Sequence, residues 1–133
     1  MKHFVCKNCG NLIAMIENRG PRISCCKKEM EEIVPGVTEA SAEKHTPVLD
    51  IDGRKITVSV GKGDNAHPML PEHAIAWVLL LTDKGCQRKI LVPDGKSEAV
   101  FYIADDEKLL KVFSYCNVHG LWVTEVKDKE KRK

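Results

Sequence analysis

The chain has 133 residues, 43% of them hydrophobic and 30% charged. That length holds a small module plus one domain of about 100 residues and excludes a large multidomain machine. With 21 Lys and Arg against 19 Asp and Glu the net charge is +2, so no field of either sign points to nucleic acid, and the longest apolar run, Ala74 to Leu81, is far below the roughly 20 residues of a membrane span.

The first residues, Met-Lys-His-Phe-Val-Cys-Lys-Asn-Cys, hold no apolar stretch that could act as a secretion signal, so a reducing cytoplasm is the expected compartment. In such a compartment six cysteines in so short a chain point away from disulfides and toward metal or chemistry. Four of them lie close together, as Cys6-Lys-Asn-Cys9 and, fifteen residues on, Cys25-Cys26. Four thiolates of this kind suit a tetrahedral sulfur site for zinc or iron. Gly10 follows the first pair and Gly20-Pro21 punctuates the return. A redox pair of thioredoxin type would want a helix after Cys9, where the sequence is short and β-leaning. Cys25 and Cys26 have no spacer, which predicts a distorted tetrahedron. A segment of about 36 residues is too small to hold itself by a core alone, so bound metal should supply much of its stability.

After Val34-Pro35-Gly36 the composition changes, which divides the chain into 1–36 and 37–133, with a short linker to about Ala42. The second part reads as strands Val48–Asp52, Lys55–Val60, Ala74–Thr82, Cys86–Val92, Glu98–Ala104, Leu110–Tyr115 and Leu121–Val126, separated by turn signals such as Lys84-Gly85 and Pro93-Asp94-Gly95. Short strands at this spacing predict a mainly β fold, an immunoglobulin-like antiparallel sandwich. Asp52-Gly53 is the expected two-residue hairpin. Ile75 to Leu81 is apolar on both faces and belongs deep in a core or at an interface. The tail Lys127 to Lys133 reads as a solvated, frayed end.

Four of the five histidines fall in this second part, and three of them sit in turn-rich stretches: Glu43-Lys44-His45-Thr-Pro47, Ala66-His67-Pro-Met69 and Tyr115-Cys116-Asn-Val-His119-Gly120. Loops at one end of a sandwich can assemble a site from distant parts of a chain. With His73 four residues before Trp77, and Trp122 after His119, these motifs resemble the desulfoferrodoxin family of superoxide reductases. Cys6, Cys9, Cys25 and Cys26 also match the family's desulforedoxin-like first domain, so the resemblance covers nearly the whole chain.

The resemblance implies two irons per chain. The first is held by the four cysteines, with zinc as an alternative occupant. The second is the catalytic iron of a neelaredoxin-like domain, held by His45, His67, His73 and His119 in a plane with Cys116 as axial thiolate. Five such donors exceed what structural zinc uses and leave a sixth position open on iron. The implied reaction is one-electron reduction of superoxide to hydrogen peroxide, a detoxification of reactive oxygen, with re-reduction by an external donor such as rubredoxin. By resemblance Lys44 guides superoxide, Glu43 binds the oxidised iron once peroxide leaves, and the protein is a homodimer. His3 is expected at the surface near the first site, Met15 and Met30 in packing, Cys86 as a free thiol, and Trp77 and Trp122 either in the core or shielding the iron. A blue-copper domain, with two His, one Cys and an axial Met, would leave imidazoles unused and lacks a Met after His119. A zinc-ribbon interaction module would use only Cys6 to Cys26. A superoxide dismutase would share the substrate.

Overall fold

The computed structural model describes residues 1–36, 45–61 and 66–126. Glu43, Lys44, the linker 37–42 and the tail 127–133 lie outside the described residues. The chain separates into two compact units, Met1–Val34 and Pro35–Lys133.

In the first unit β1 (Lys2–Val5) is flanked by β2 (Leu12–Met15) and β5 (Glu31–Ile33), both antiparallel to it, and β3 (Ser24–Cys25) with β4 (Lys28–Glu29) forms a small hairpin. His3, expected at the surface, is 1% exposed. It lies on the central strand, opposite Ala14 and Ile33, where alternate side chains face inward. Met30 is buried, as expected.

The second unit holds β6 (Pro47–Asp52), β7 (Lys55–Val60), β8 (Ile75–Thr82), β9 (Cys86–Ile90), β10 (Glu98–Tyr102), β11 (Leu109–Cys116) and β12 (Gly120–Glu125), which cover the seven expected strands. They form two antiparallel sheets, β10-β7-β6 and β12-β11-β8-β9. Ile56, Val58, Val60 and Phe101 of the first face Ile75, Val78, Leu80 and Val112 of the second across one core. The architecture is the expected sandwich. Its fourth strand, β9, pairs with the third, β8, rather than standing beyond the fifth as in a constant-type immunoglobulin domain.

The β6–β7 loop is Gly53-Arg54, one residue later than expected, with Asp52 paired to Lys55. Gly53 has φ +61° while Arg54 does not turn positive, the pattern of a hairpin that needs glycine at its first central position. The β8 run is buried on both faces, with Val78 and Leu80 toward the core and Leu79 opposite, beside Phe113 and Val123.

The strand pairing brings the start of β6, the end of β7, the start of β8, the end of β11 and the start of β12 to one end of the sandwich. No helix among the described residues is long and apolar enough to cross a membrane.

Candidate metal centres

In the first unit the sulfurs of Cys6, Cys9, Cys25 and Cys26 all lie within 4.8 Å of one another. Cys6 directly follows β1, and its carbonyl accepts the Gly10 N–H at 2.8 Å, a reversal eased by the φ of +85° at Gly10. Cys25 and Cys26 reach the same point differently. Adjacent residues on a strand point to opposite faces, but Cys26 and Lys27 form the turn between β3 and β4, both at positive φ, +55° and +61°. That left-handed backbone costs about 1–2 kcal/mol per residue without glycine. It turns the Cys26 sulfur back to 4.0 Å from that of Cys25, which is 3.6 Å from the Cys9 sulfur. A regular tetrahedron with metal–sulfur bonds of about 2.3 Å has edges of about 3.8 Å, so this donor set fits one tetrahedral ion.

Polar hydrogens support the sulfurs. The Cys9 backbone N–H is the main influence holding the Cys6 thiol down to about 6. Hydrogen bonding with the Cys9 sulfur, and then with Cys6, pushes Cys25 up to about 12. Without a cation the thiolate form is favoured at Cys6 and disfavoured at Cys25; a bound cation would draw all four into the thiolate form. The Asn11 side-chain amide donates to the Cys25 sulfur at 3.6 Å.

At the loop end of the sandwich the four expected imidazoles form a closed ring. Their centroids are separated by 4.8 Å from His45 to His67, 4.9 Å to His73, 5.1 Å to His119 and 4.7 Å back to His45. Cys116 is fully buried at the end of β11, next to a register shift between Tyr115 and Cys116, and its sulfur lies 3.9 Å from His119 Nδ1. Donor atoms of His45, His73, Cys116 and His119 lie within 4.8 Å of one another, and His67 stands outside that tighter set as ring neighbour of His45 and His73.

Three observations show that the group fits a metal. His45 Nε2 and His119 Nδ1 are 3.1 Å apart, close to the spacing of about 3 Å between neighbouring nitrogens on an ion with bonds of about 2.1 Å. The Nε2 atoms of His67 and His73 are buried with no hydrogen-bond partner, at a cost of about 1–3 kcal/mol each unless something takes their lone pairs. Nδ1 of His67 donates to the Pro68 carbonyl at 2.7 Å, which leaves Nε2 as the acceptor nitrogen. Burial, opposed by that hydrogen bond and reinforced by the other three histidines, holds His67 down to about 4, neutral and able to ligate. The His119 backbone N–H donates to the Cys116 sulfur at 3.4 Å.

Neighbouring residues hold the ring in place. Ser114 Oγ donates to the His45 carbonyl at 2.8 Å, both groups buried, and Trp122 stacks on the His45 ring. Trp77 lies elsewhere, on the opposite face of β8 from Val78, stacked 5.3 Å from Tyr115 under Arg88. Cys86 is exposed and outside both clusters, as expected. Sequence reasoning gave no role to Ser114 or Asn117. The position of Asn117 between Cys116 and His119 was the available signal.

The sequence profile of the desulfoferrodoxin family matches residues 37–125. Desulfoferrodoxin from Clostridium acetobutylicum is 35% identical over 123 residues, spanning 92% of this chain and 94% of that protein. A superoxide reductase from Pyrococcus horikoshii is 41% identical over 100 residues, 63% of this chain and 86% of that protein. The crystal structure of the superoxide reductase from Treponema pallidum superposes with a TM-score of 0.77 at 36% identity, covering 94% of this chain and 98% of that one. The chain belongs to the desulfoferrodoxin family.

Proposed function

We propose that the chain is a superoxide reductase whose second unit, a neelaredoxin-like domain, holds iron between His45, His67, His73, His119 and Cys116. The carrying observation is the closed ring of four imidazoles with the Cys116 sulfur among its donor atoms. Relatives named superoxide reductase support the activity. When bound, iron supplies the electron that, with two protons, converts superoxide to hydrogen peroxide, and an external donor of rubredoxin type restores the reduced state.

The chain's residues prepare that chemistry. Four neutral imidazoles and one thiolate bring a single negative charge, less than a divalent ion carries, so the loaded site stays cationic toward an anionic substrate. The Pro68 carbonyl fixes which His67 nitrogen is free, and the His119 N–H donates to the Cys116 sulfur. Lys44 would guide superoxide to the site, and Glu43 would offer a carboxylate ligand to the oxidised ion. Cys6, Cys9, Cys25 and Cys26 hold a second iron, or zinc, in a desulforedoxin-like domain. Six free thiols fit a reducing cytoplasm, where a homodimer would remove superoxide as a detoxifying enzyme.

A stoichiometric assay tests this reading. With a reduced rubredoxin-type donor present, one electron should be drawn from the donor per superoxide consumed, with no dioxygen formed. Dioxygen amounting to half of the superoxide consumed would identify a dismutase instead.

A further inference from the structure

We propose that Asn117 is a positioning residue for the second centre: its side-chain amide sets the distance between His73 and the turn carrying Cys116 and His119. This rests on the reading that those three residues share one ion.

His73 lies in the connection before β8, outside any strand. Its own N–H and carbonyl close a small turn with Leu70, at 3.1 and 3.0 Å. That turn fixes local shape but does not tie His73 to β11. Asn117 makes the tie on both sides of the histidine. The Ala74 N–H donates to Asn117 Oδ1 at 3.0 Å, and Asn117 Nδ2 donates to the Glu72 carbonyl at 3.2 Å. The Asn117 backbone N–H donates to the Ala74 carbonyl at 3.2 Å. One planar group must therefore offer an acceptor and a donor side by side, as a peptide unit does. Asp would keep the acceptor and set a carboxylate oxygen against the Glu72 carbonyl. Ala would lose both bonds.

Asn117 is exposed, so packing does not account for it. The bond to Glu72 is exposed and the one from Ala74 only partly buried, so their loss should cost the fold a modest amount, whereas a metal site responds to ligand displacements of about 0.5 Å. The signature of a positioning role is thus a change at the centre without a matching change in folding.

The test uses the full chain as wild type, Asn117→Ala and Asn117→Asp. Each is titrated with ferrous iron and with cobalt(II), followed by visible absorption and by iron release to a chelator. In both variants release from the second centre should be about 10–100-fold faster and its thiolate absorption shifted, with the four-cysteine centre unchanged. Thermal unfolding of the metal-free protein should move little. Release within about twofold of wild type and an unshifted band would overturn the proposal. So would an equal loss of metal-free folding in both variants. A wild type that loads both centres yet does not reduce superoxide refutes the proposed activity alone, and the Asn117 comparison still decides this point. A wild type with no uptake at the second centre overturns both.

Discussion

Trp122 lies flat on His45, with ring centroids 5.0 Å apart and planes within 17° of parallel. The same indole is closed in by Gly36, where an added Cβ would stand 2.8 Å from Trp122 Cζ3. Gly36 cannot retreat easily, because its N–H donates to the Leu121 carbonyl and its own carbonyl accepts from Val123. Gly36→Ala should therefore press the indole toward the imidazole and destabilise the protein by about 1–3 kcal/mol. Trp122→Phe removes the atoms in conflict, so the double variant should lose less than the sum of the singles. Denaturant titration of all four proteins measures that coupling, and simple additivity would show that the contact does not constrain the tryptophan.

Cys116 is the one buried sulfur in the second centre and receives the His119 N–H. Serine keeps a donor atom of similar shape but not a thiolate at neutral pH. Cys116→Ser should retain iron while superoxide reduction falls by more than about 100-fold, beyond the usual effect of a residue one shell further out. Stopped-flow consumption of superoxide by protein of confirmed iron content tests this. Turnover at the wild-type rate would remove the thiolate from the mechanism.

Much of this arrangement was legible before the fold was known. Turn residues bounded all seven strands of the sandwich, because glycine and paired polar residues report backbone geometry directly. The loop placement of His45, His67 and His119 located one end of the sandwich. Sheet membership of β9 was not legible, since its alternation is weak and either neighbouring edge would accept it. The turn at Cys26-Lys27 was hidden because neither residue announces positive φ. His3 misled as a polar residue near a terminus, where its place on a central strand outweighed its type. The order of imidazoles around the ring depends on three separate loops and is written in no local pattern.

Cys9 sits in the first unit, and its sulfur lies 3.6 Å from that of Cys25. Cys9→Ser should abolish metal binding by the four-cysteine group and destabilise that unit, which is too small to rely on its own core. A second centre reduced beforehand should consume superoxide in a single turnover at an almost unchanged rate. Metal analysis with single-turnover kinetics checks both points. A collapse of the pre-reduced rate would mean that the first centre does more than carry electrons or brace its unit.

The steering proposed for Lys44 acts on the encounter with superoxide. A cation beside a small anionic substrate raises the association rate, and salt weakens that effect as the screening length shortens to about 10 Å at 0.1 M. Lys44→Ala should slow superoxide consumption by up to about tenfold at low salt and flatten its dependence on ionic strength. Pulse-radiolysis rates across a salt series give both numbers. An unchanged rate at low salt would end the steering role.

The protonation of His67 predicts how the metal-free protein responds to acid. The folded chain holds this imidazole at about 4, chiefly by burial, against an ordinary value of 6.5. Between those values the unfolded chain carries the extra proton, so acid favours unfolding. The contribution of His67 is fully present above about pH 6.5 and is lost progressively as the pH falls toward 4. Two carboxylates act in a lower window. Asp83 and Glu107 lie below their ordinary values of 3.8 and 4.5, chiefly through the backbone N–H groups of Lys108 and Ala104. Their stabilisation persists above those ordinary values and is lost only as the pH falls below them. Thermal unfolding of metal-free wild type and His67→Gln between pH 7 and about 4.5 therefore isolates the histidine. The wild-type midpoint should fall more steeply than that of the variant over this range, and parallel profiles would show that His67 is not held neutral by the fold.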